Sequence, residues 1–452
     1  MNRLAFFAND VETFRQAEAF AYPNETGAFF LLGEGKGKKG RRLVASRPYY
    51  PVDEEWDIME PDRLRPSTQL ISKMVSRAER EKSGLLFLHS HPSIMHPAGF
   101  SMTDFQALNS LASTIPSLLE GPFAAAVKSK SNWEGLVWDG SCYIPIERIT
   151  SAGRCFSILN AGEISPNQFD SRQLLALGDI NKLIRQLDIA IVGCGGLGSP
   201  LAETLVRMGI RSLTLIDHDK LDTPSNIRRV FGSKVGDLHR IPAPSKVSLV
   251  GGLCSSLGFE TEIIEVVEDV RNERAFSYLL DTDIVFCGTD SHSSRAVLNA
   301  GAHAFFFPII DCGVRVGVRH GRILSNLFSN IRIISPGLPC LWCRKVISSE
   351  TIREENLPSS ERAMLQREDY VAGVAGPEPS TVALTLLGSS MMACALLAML
   401  SEDGKEVESG YFYDGFWGEV PIKTETPVID PDCLCLKNHG RAEKALLCLK
   451  TG

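Results

Sequence analysis

The stretch that most constrains the fold is Ile189–Ser199, which reads Ile-Ala-Ile-Val-Gly-Cys-Gly-Gly-Leu-Gly-Ser. Apolar and β-branched residues run directly into a cluster of glycines, and an apolar-periodic segment follows at 200–209. This order predicts a buried strand, a tight turn and a helix. Glycines let the backbone approach an anion closely, and the N-terminus of the helix offers it unpaired N–H groups. The stretch therefore predicts a phosphate-binding turn, and the glycines by themselves favour NAD or FAD over ATP.

Length and charge limit the classes to which this chain can belong. The chain has 452 residues, enough for about two or three domains, and its formal net charge of −7 argues against nucleic acid or an anionic membrane as a partner. The N-terminal apolar run is too short for a signal peptide, so we expect a cytoplasmic protein. The segment 381–400 carries no charge and is long enough to span a bilayer. Its content of Gly, Ser, Ala and Met favours instead a helix buried in a core or a subunit interface.

A histidine pair ends a predicted strand in the first third of the chain. The run Gly84–Pro92 contains His89 and His91, which lie on the same side because strand side chains repeat every second residue. The segment Ser101–Asp104 then opens a helical pattern. Two imidazoles and the Asp104 carboxylate can bind zinc and leave a fourth position for water, which is the layout of a catalytic site. The same residues also fit a polar turn followed by a helix capping box.

These residues resemble the JAMM (JAB) metalloprotease family, whose pattern is a distant Glu, then His-x-His-Pro, then Ser-x-x-Asp. The family cleaves isopeptide or peptide bonds after the C-terminus of ubiquitin-like proteins. The resemblance implies zinc bound by His89, His91 and Asp104, with Glu25 as the general base and Ser101 as a group that helps to hold the oxyanion. It departs from the family in one respect, because nine residues separate His91 from Ser101 where seven are usual. The two extra residues fall in the loop at 93–100, where they are expected to alter access to the cleft.

Polar residues follow the successive strands predicted after the glycine turn. Strand and helix patterns alternate up to Ile310, which predicts a mostly parallel sheet that binds ligands at the C-terminal ends of its strands. The polar residues near those ends are Asp217, Asp219, Asn226, Arg228, Arg229, Lys246, Thr289 and Asp290. Taken singly, they also fit a solvated turn, a helix N-cap and a surface helix. As a set they favour ATP over NAD, because nucleotidyl transfer uses cations to neutralise phosphates and an acid to hold magnesium.

This region resembles the ThiF/MoeB family, the adenylating fold shared with ubiquitin-activating enzymes. The motifs that carry the resemblance are Phe169–Gln173, the glycine turn, Leu215–Asp219, Ser225–Arg229, Pro244–Lys246 and Cys287–Asp290. The family adenylates the C-terminal carboxylate of a ubiquitin-like or sulfur-carrier protein with ATP, and it commonly works as a homodimer. The resemblance implies the following contacts: Gly193, Gly195, Gly196 and Gly198 around ATP, Asp217 and Asp219 at the ribose, Asn226, Arg229 and Lys246 at the phosphates, Asp290 linked to magnesium, and Arg172 reaching the partner subunit's site.

The positions of the cysteines predict a zinc site and argue against a thioester-forming cysteine. Cys340, Cys343, Cys433 and Cys435 match the paired structural cysteines of the ThiF/MoeB family and imply a closed zinc site, with free buried thiols as the alternative. The thioester-forming members place a cysteine shortly before an Ala-Gly-Val motif, which is 372–374 here, and no cysteine lies between Cys343 and Cys394. We therefore expect no thioester there. Cys312 is a weak substitute, since a small buried residue explains it equally well.

Together these patterns predict an α/β chain. A JAMM-type α/β/α domain at 1–150 and a linker at 151–164 precede a Rossmann-like adenylation domain at 165–452. The expected function joins zinc-dependent trimming or deconjugation of a ubiquitin-like or sulfur-carrier protein to ATP-dependent activation of its C-terminus. The adenylate would pass to a sulfur donor, an amine or the cysteine of a conjugating-like enzyme. The pathway would be a sulfur-carrier pathway or bacterial ubiquitin-like conjugation, for example in antiphage defence. Two alternatives stay open: an NAD-dependent oxidoreductase, and an adenylating enzyme with an inactive JAMM scaffold.

Overall fold

The computed structural model describes residues 1–92, 99–130, 132–165, 167–319, 323–358, 361, 380–401, 409–415 and 428–443. The chain divides into two compact units. The first unit comprises Met1–Glu163, His303–Phe307 and the described residues from Lys437 onward. The second unit comprises Ile164–Ala302 and the described residues of Pro308–Leu436.

The first unit contains a nine-stranded mixed sheet and a separate two-stranded ribbon. Its strands are β1 (Arg3–Phe7), β2 (Gly27–Lys36), β3 (Arg41–Tyr49), β4 (Trp56–Glu60), β5 (Arg63–Pro66), β6 (Gly84–His91), β7 (Phe123–Ser129), β8 (Trp133–Trp138), β9 (Tyr143–Pro145), β10 (Arg148–Ala152) and β11 (Phe156–Ile158). Its helices are α1 (Ala8–Ala21), α2 (Thr68–Arg80), α3 (Met102–Ala112) and α4 (Ile115–Leu118). The sheet runs β11-β10-β1-β3-β2-β6-β7-β8-β9, and β4 pairs with β5.

The large sheet of the first unit is apolar on both faces. Successive residues of β2 enter different clusters: Phe30 packs with Phe6 and Phe14 on the α1 side, whereas Phe29 packs with Leu70 of α2 on the other. Strand side chains alternate between faces, so a continuous apolar run such as β2 is what a sheet covered by helices on both sides requires. The unit is therefore a three-layer α/β/α arrangement.

The second unit contains a seven-stranded sheet in the order β14-β13-β12-β15-β16-β17-β18. Its strands are β12 (Asp188–Val192), β13 (Ser212–Ile216), β14 (Glu262–Val266), β15 (Ile284–Cys287), β16 (Ile309–Arg319), β17 (Ile323–Ile334) and β18 (Gly410–Asp414). Its helices are α5 (Ser171–Leu177), α6 (Asp179–Ile184), α7 (Gly198–Met208), α8 (Pro224–Ile227), α9 (Lys246–Ser256), α10 (Glu273–Leu279), α11 (His292–Phe305), α12 (Ser349–Glu355), α13 (Val382–Leu400) and α14 (Leu434–Lys437). The last three residues of α11 and the last residue of α14 belong to the first unit. The five strands from β14 to β16 are parallel, whereas β17 and β18 are antiparallel additions.

The helix α13 is long and apolar enough to cross a membrane, and half of its most apolar window is buried within the protein. It packs against α7, β16 and β17 of the second unit. Gly388 lies so close to the sheet that a Cβ there would be 3.0 Å from Cys312 Sγ and 3.3 Å from Ser329 Oγ. These contacts are those of a core helix, as its composition predicts.

The expected linker differs from what the structure shows. Residues 151–164 look like a connection because their turn residues have little periodicity, yet β10 extends to Ala152 and β11 spans Phe156–Ile158. Thr150 pairs with Ile158 in this hairpin, and β10 lies parallel to β1. The partner of β10, β1, lies nearly the whole unit away in sequence, so local composition does not reveal that this segment joins the sheet. The sheet of the first unit thus continues into the segment expected to be free of strands.

Candidate functional sites

The residues of the predicted metal site meet at the end of β6. β2 and β6 are antiparallel with Gly27 opposite His89, so Glu25, two residues before Gly27, lies near His91. The two strand ends are also joined by side chains, since Ser90 Oγ accepts a hydrogen bond from the Thr26 N–H at 3.0 Å. Sheet register therefore fixes the relation between the acid and the two imidazoles. His89, His91 and Glu25 are all buried.

The three expected ligand groups lie close together, and one donor atom from each lies within 4.8 Å of the other two. His89 Nε2 lies 3.2 Å from His91 Nε2, and the Asp104 carboxylate oxygens lie 3.3 Å and 3.4 Å from the two nitrogens. Zinc bonds to nitrogen and oxygen of about 2.0–2.1 Å give a tetrahedral edge of about 3.3–3.4 Å. The spacing of this donor set therefore fits a single zinc ion. His89 Nδ1, the nitrogen on the other side of that ring, is buried and has no hydrogen-bond partner among the described residues.

A capping box places Asp104 beside the two histidines. Ser101 is the N-cap of α3; its hydroxyl oxygen accepts from the Asp104 N–H, while Asp104 Oδ2 accepts from the Ser101 N–H at 2.7 Å. The capping box and the histidine contacts, which look like alternatives in the sequence, are thus present together. Burial would raise the pKa of Asp104, but hydrogen bonds from His89 and His91 outweigh it and hold that pKa well below its usual range. Asp104 is therefore an anion ready to bind a cation.

Glu25 and Ser101 flank the three ligand groups. Glu25 Oε1 lies 3.6 Å from His91 Nε2. Burial raises the pKa of Glu25 to about 8, and the nearby His91 lowers it only in part. The Ser101 hydroxyl donates to Asp104 Oδ2 at 2.7 Å, so its proton is already engaged by the same carboxylate. The segment between His91 and the helix, including His96, lies partly outside the described residues.

The polar residues expected around ATP lie at one edge of the second sheet. β13, β12 and β15 are adjacent parallel strands, and the chain leaves β12 for β13 on one side before it returns to β15 on the other. Their carboxyl ends carry the glycine turn after β12, Asp217 after β13 and Asp290 after β15. A change of direction in the strand order opens a crevice at that edge, where ligands of such sheets bind. The topology thus brings these three groups to one place.

Close backbone packing explains two of the glycines. Gly193 has a φ of +95°, and a Cβ at this position would be 2.8 Å from the backbone of Gly288. A Cβ on Gly198 would be 1.9 Å from the Gly193 carbonyl oxygen. Gly195 has no heavy atom within 4 Å of the corresponding position, so it faces open space. The turn is thus closed on its inner side and open at Gly195. Gly288 was not among the expected site residues, although it stands directly before Thr289-Asp290.

Asp217 organises the turn through backbone contacts. Its Oδ2 accepts from the Cys194 N–H at 2.7 Å, and its Oδ1 accepts from the Asp219 N–H at 2.8 Å. Burial raises the pKa of Asp217, and the Asp219 N–H and Lys246 oppose that rise. Lys246 Nζ lies 2.5 Å from Asp219 Oδ2, and the Lys246 N–H donates to the Asp219 carbonyl. Asp217, Asp219 and Lys246 therefore form one connected group beside the glycine turn.

The two neighbouring arginines have different environments. Arg228 is exposed, as a solvated turn predicts, whereas Arg229 is partly buried. A Cβ on Gly196 would be 3.6 Å from Arg229 Nε, which is a buried atom without a hydrogen-bond partner among the described residues. The backbone carbonyl oxygen of Asn226 accepts a hydrogen bond from the Arg229 N–H, which fixes the backbone before Arg229. A buried guanidinium N–H beside an open glycine turn fits an anionic group such as a phosphate.

The remaining expected site residues are exposed. Asp290 lies in the short loop between β15 and α11, and Arg172 lies on α5. Asp290 makes no hydrogen bond or ion pair with a described residue. A cavity of about 330 Å³ opens elsewhere, at the amino edge of the same sheet, where Ile210 and Thr261 precede β13 and β14. That cavity contains none of the residues expected around ATP.

The structure brings the four expected cysteine ligands together. All four Sγ atoms lie within 4.8 Å of one another, and Cys340 Sγ lies 3.6 Å from Cys343 Sγ and 3.5 Å from Cys433 Sγ. Zinc–sulfur bonds of about 2.3 Å correspond to a tetrahedral edge of about 3.8 Å. Hydrogen bonding from Cys435 lowers the pKa of Cys340. The donor set fits a structural zinc despite its shortened Cys-x-Cys pair.

Cys312 does not fit a nucleophile. Its side chain is 1% exposed, and burial raises its pKa to about 12. A reactive cysteine needs access and a thiolate. The Ala-Gly-Val motif at 372–374 and the residues before it lie outside the described part of the chain.

Comparison with known proteins identifies relatives of the second unit. The model of the ThiF family matches residues 171–431, more than half of the chain. "Adenylyltransferase and sulfurtransferase MOCS3" of Arabidopsis thaliana is 30% identical over 34% of this chain and 31% of its own length. "Sulfur carrier protein ThiS adenylyltransferase" of Bacillus subtilis is 24% identical over 36% and 45%. "Ubiquitin-like modifier-activating enzyme 5" of Drosophila melanogaster is 27% identical over 60% and 65%. The chain thus spans less than two thirds of each of these relatives.

Among solved structures, the chain resembles crystal structures of E. coli MccB. The structure with ATP is 14% identical over 59% of this chain and 74% of that chain, with a TM-score of 0.45.

Proposed function

The chain belongs to the ThiF family, and from this premise we propose that its second unit uses ATP to adenylate the C-terminal carboxylate of a ubiquitin-like or sulfur-carrier protein. The relatives named above supply the substrate class, since their names refer to a sulfur carrier and to a ubiquitin-like modifier. Magnesium is the expected companion of ATP. The NAD alternative has less support, because it gives no use to the cations beside the glycine turn.

The observation that carries this proposal is the buried Nε of Arg229 beside the open glycine turn. Leaving a buried charged donor unpaired costs about 1–3 kcal/mol or more. An anion that accepts a hydrogen bond from Arg229 would remove this cost. The N-terminus of α7 favours negative charge at the same place. Lys246 supplies a second cation, and its partner Asp219 is half exposed. These groups suit the triphosphate of ATP.

In the proposed reaction, a carboxylate oxygen of the small protein's tail attacks the α-phosphorus of ATP. The bond between that phosphorus and the bridging oxygen to the β-phosphate breaks, and its electron pair leaves with pyrophosphate. Arg229 and Lys246 neutralise the charge that builds on the phosphate oxygens, while Asp217 and Asp219 orient the ribose. Asp290 would hold magnesium, which binds through one or two carboxylates plus the phosphates. The product is an acyl adenylate.

The acyl adenylate must pass its acyl group to an acceptor. Cys312 is buried, and no cysteine lies between Cys343 and the motif at 372–374, so we propose transfer to a sulfur donor, an amine or the cysteine of a conjugating-like enzyme. Both a sulfur-carrier pathway and bacterial ubiquitin-like conjugation, including antiphage defence, use such a transfer. We propose that it takes place in the cytoplasm.

ATP–pyrophosphate exchange tests the adenylation step. The purified chain is assayed with magnesium and a panel of ubiquitin-like and sulfur-carrier proteins ending in a free carboxylate. We expect exchange with at least one of them and its loss in Arg229→Ala. Arg228→Ala is the matched control, because its side chain is the exposed neighbour, and it should retain most of the activity. Exchange that is absent from wild type with every substrate, or equal in the two variants, contradicts the proposal.

For the first unit we propose a zinc-dependent peptidase that trims or deconjugates the same small protein. The support is the close approach of His89, His91 and Asp104, whose nitrogen and carboxylate oxygen atoms lie 3.2–3.4 Å apart. When bound there, zinc would supply Lewis acidity and lower the pKa of a bound water. Glu25 is within reach to accept a proton, and the added positive charge would favour its carboxylate form. Ser101 is proposed to assist the oxyanion. Trimming would expose the carboxylate that adenylation needs.

A paired measurement separates an active peptidase from an inactive scaffold. Cleavage of a small protein extended beyond its C-terminal glycine is assayed together with zinc content. We expect Glu25→Gln to abolish cleavage and keep the zinc, whereas His89→Ala loses both. Zinc without cleavage in wild type, across the panel of extended substrates, would support the scaffold alternative.

We also propose a homodimer in which Arg172 acts in the partner's site. Arg172 shares an exposed helix face with Leu175, which is 89% exposed, and Phe169 lies just before that helix. A mixture of Arg172→Ala and Asp290→Ala chains should recover activity that neither variant has alone, because one site of each mixed dimer is intact. No recovery, at concentrations where size-exclusion chromatography shows mixed dimers, argues against a shared site.

A further inference from the structure

A carboxylate from a distant helix binds the start of α11. Glu355, the last residue of α12, accepts hydrogen bonds from three successive residues. The Ser291 hydroxyl donates to Oε2 at 2.9 Å, the His292 N–H to Oε1 at 2.8 Å, and the Ser293 N–H to Oε2 at 2.8 Å. The N-terminal N–H groups of a helix lack partners inside it and carry partial positive charge, so an anion there is strongly held. Glu355 is thus an anion supplied by the chain itself.

Further contacts fasten α12 to the same place. The Ser348 N–H donates to His292 Nδ1 at 3.3 Å. Asn356 follows Glu355, and its Nδ2 donates to Ser293 Oγ at 3.5 Å. Ser348 and Asn356 lie at the two ends of α12, so the whole short helix is held against the start of α11. A helix of seven residues has little stability by itself, so α12 depends on these contacts with the start of α11.

The segment held in this way contains Asp290. β15 ends at Cys287 and α11 begins at His292, so four residues connect them. The sheet fixes the first end, and Glu355 fixes the second. Within the connection, the Ser291 N–H donates to Thr289 Oγ1 at 3.3 Å. The Asp290 side chain has no hydrogen bond to a described residue, so its position depends on how these two ends hold its backbone.

We propose that Glu355 is a positioning residue that aims the Asp290 carboxylate at the magnesium ion of the bound nucleotide. This inference rests on the proposed function, which assigns magnesium to Asp290. In this proposal Glu355 contacts neither ATP nor magnesium. It acts by fixing the backbone from Ser291 to Ser293, and thereby the residue immediately before them.

Nucleotide binding at equilibrium tests the inference without requiring turnover. Binding of a fluorescent ATP analogue is measured over a range of magnesium concentrations and in EDTA. In Glu355→Gln we expect the magnesium concentration at half-saturation to rise on the order of tenfold, because the loss of hydrogen bonds to a charged group loosens the loop. Affinity in EDTA should be unchanged. Glu350→Gln, the same substitution at an exposed position of the same helix, should match wild type.

A double-mutant cycle decides whether Glu355 acts through Asp290. In an Asp290→Ala background, Glu355→Gln should produce no further change in magnesium dependence, since coupled residues do not add. Glu355→Asp, which keeps the charge, should recover part of the wild-type behaviour. Thermal denaturation of every variant separates this effect from unfolding. Equal magnesium dependence in Glu355→Gln and Glu350→Gln, or additive effects with Asp290→Ala, overturns the inference. A wild-type chain that does not bind the analogue at all overturns the proposed function instead.

Discussion

The histidine–carboxylate cluster at the end of β6 in the first unit and the sheet edge around the glycine turn in the second unit differ in how their charges are arranged. In the first, Glu25, His89, His91 and Asp104 lie within a few ångströms and contact one another directly. In the second, the charged groups are spread over the ends of three strands. Some of them are paired, as Lys246 is with Asp219, while Asp290 and the Nε of Arg229 have no partner among the described residues.

This difference matches the sizes of the ligands proposed for the two sites, a metal ion in the first unit and a nucleotide in the second. A metal ion requires a few donor atoms at fixed short distances, and these can be set by one pair of strands and one capping box. A nucleotide requires open space with donors placed along its length, which only the topology of a whole sheet provides. The first arrangement is therefore sensitive to the loss of any one ligand, and the second to the loss of space.

The largest effect is expected at the glycine turn. Gly198→Ala places a methyl group 1.9 Å from the Gly193 carbonyl oxygen, so the backbone must move. We expect a loss of about 3 kcal/mol in the free energy of unfolding of the second unit, together with ATP binding too weak to measure. Thermal denaturation and binding of the fluorescent ATP analogue check this.

Gly195→Ala is the matched substitution, because its methyl group would meet no atom within 4 Å. We expect an unchanged melting temperature with ATP binding weakened on the order of tenfold, since the methyl group occupies the nucleotide's space. If both alanine variants bind ATP like wild type, the open side of the turn is not where the nucleotide lies.

A second prediction concerns metal content. We expect about two zinc ions per wild-type chain and about one in either Asp104→Ala or Cys433→Ala, because each substitution removes a ligand from a different donor set. Metal analysis after gel filtration measures this. Ser101→Ala is the control for Asp104: it removes the N-cap and about 1 kcal/mol of stability, yet it should keep both ions. Zinc loss in Ser101→Ala equal to that in Asp104→Ala would mean that the capping box, not the carboxylate, determines binding.

The sequence predicts most of what is local in these two regions. Period-two spacing places His89 and His91 on one side of β6, and the glycine spacing indicates the turn after β12. The pattern of polar residues alone does not distinguish Arg228 from Arg229, because exposure depends on what packs against each of them, and only the resemblance to the ThiF/MoeB family singles out Arg229. The sequence gives no sign that Glu355 binds the start of α11, since that contact joins segments more than sixty residues apart. The pairing of β10 with the distant β1 likewise leaves no local sign that the sheet continues past residue 150.

The smallest effect sharpens the contrast between histidines beside carboxylates and a histidine without one. His303 is buried in the first unit, and its Nε2 has no hydrogen-bond partner among the described residues. Burial lowers its pKa to about 3, with a smaller contribution from His439. The unfolded chain binds a proton below about pH 6.5, whereas the folded chain does not until about pH 3. Stability is therefore unaffected above pH 6.5 and falls as the pH decreases between these values.

Linkage sets the size of this fall at about 1.4 kcal/mol per pH unit, or about 2 kcal/mol between pH 6.5 and pH 5. Hydrogen exchange of the peptides that cover β1 and β3 reports on this unit alone and measures the loss. Burial also lowers the pKa of His439, in the same unit, to about 4, so this histidine adds a slope of the same sign. His303→Leu removes one of these two titrating groups without adding a charge, so it should reduce the slope between pH 6.5 and pH 5 by about half. His239→Gln is the control, because His239 is exposed and its substitution should leave the slope as it is. A slope that is unchanged in His303→Leu contradicts the prediction and assigns the pH dependence to His439 and other groups.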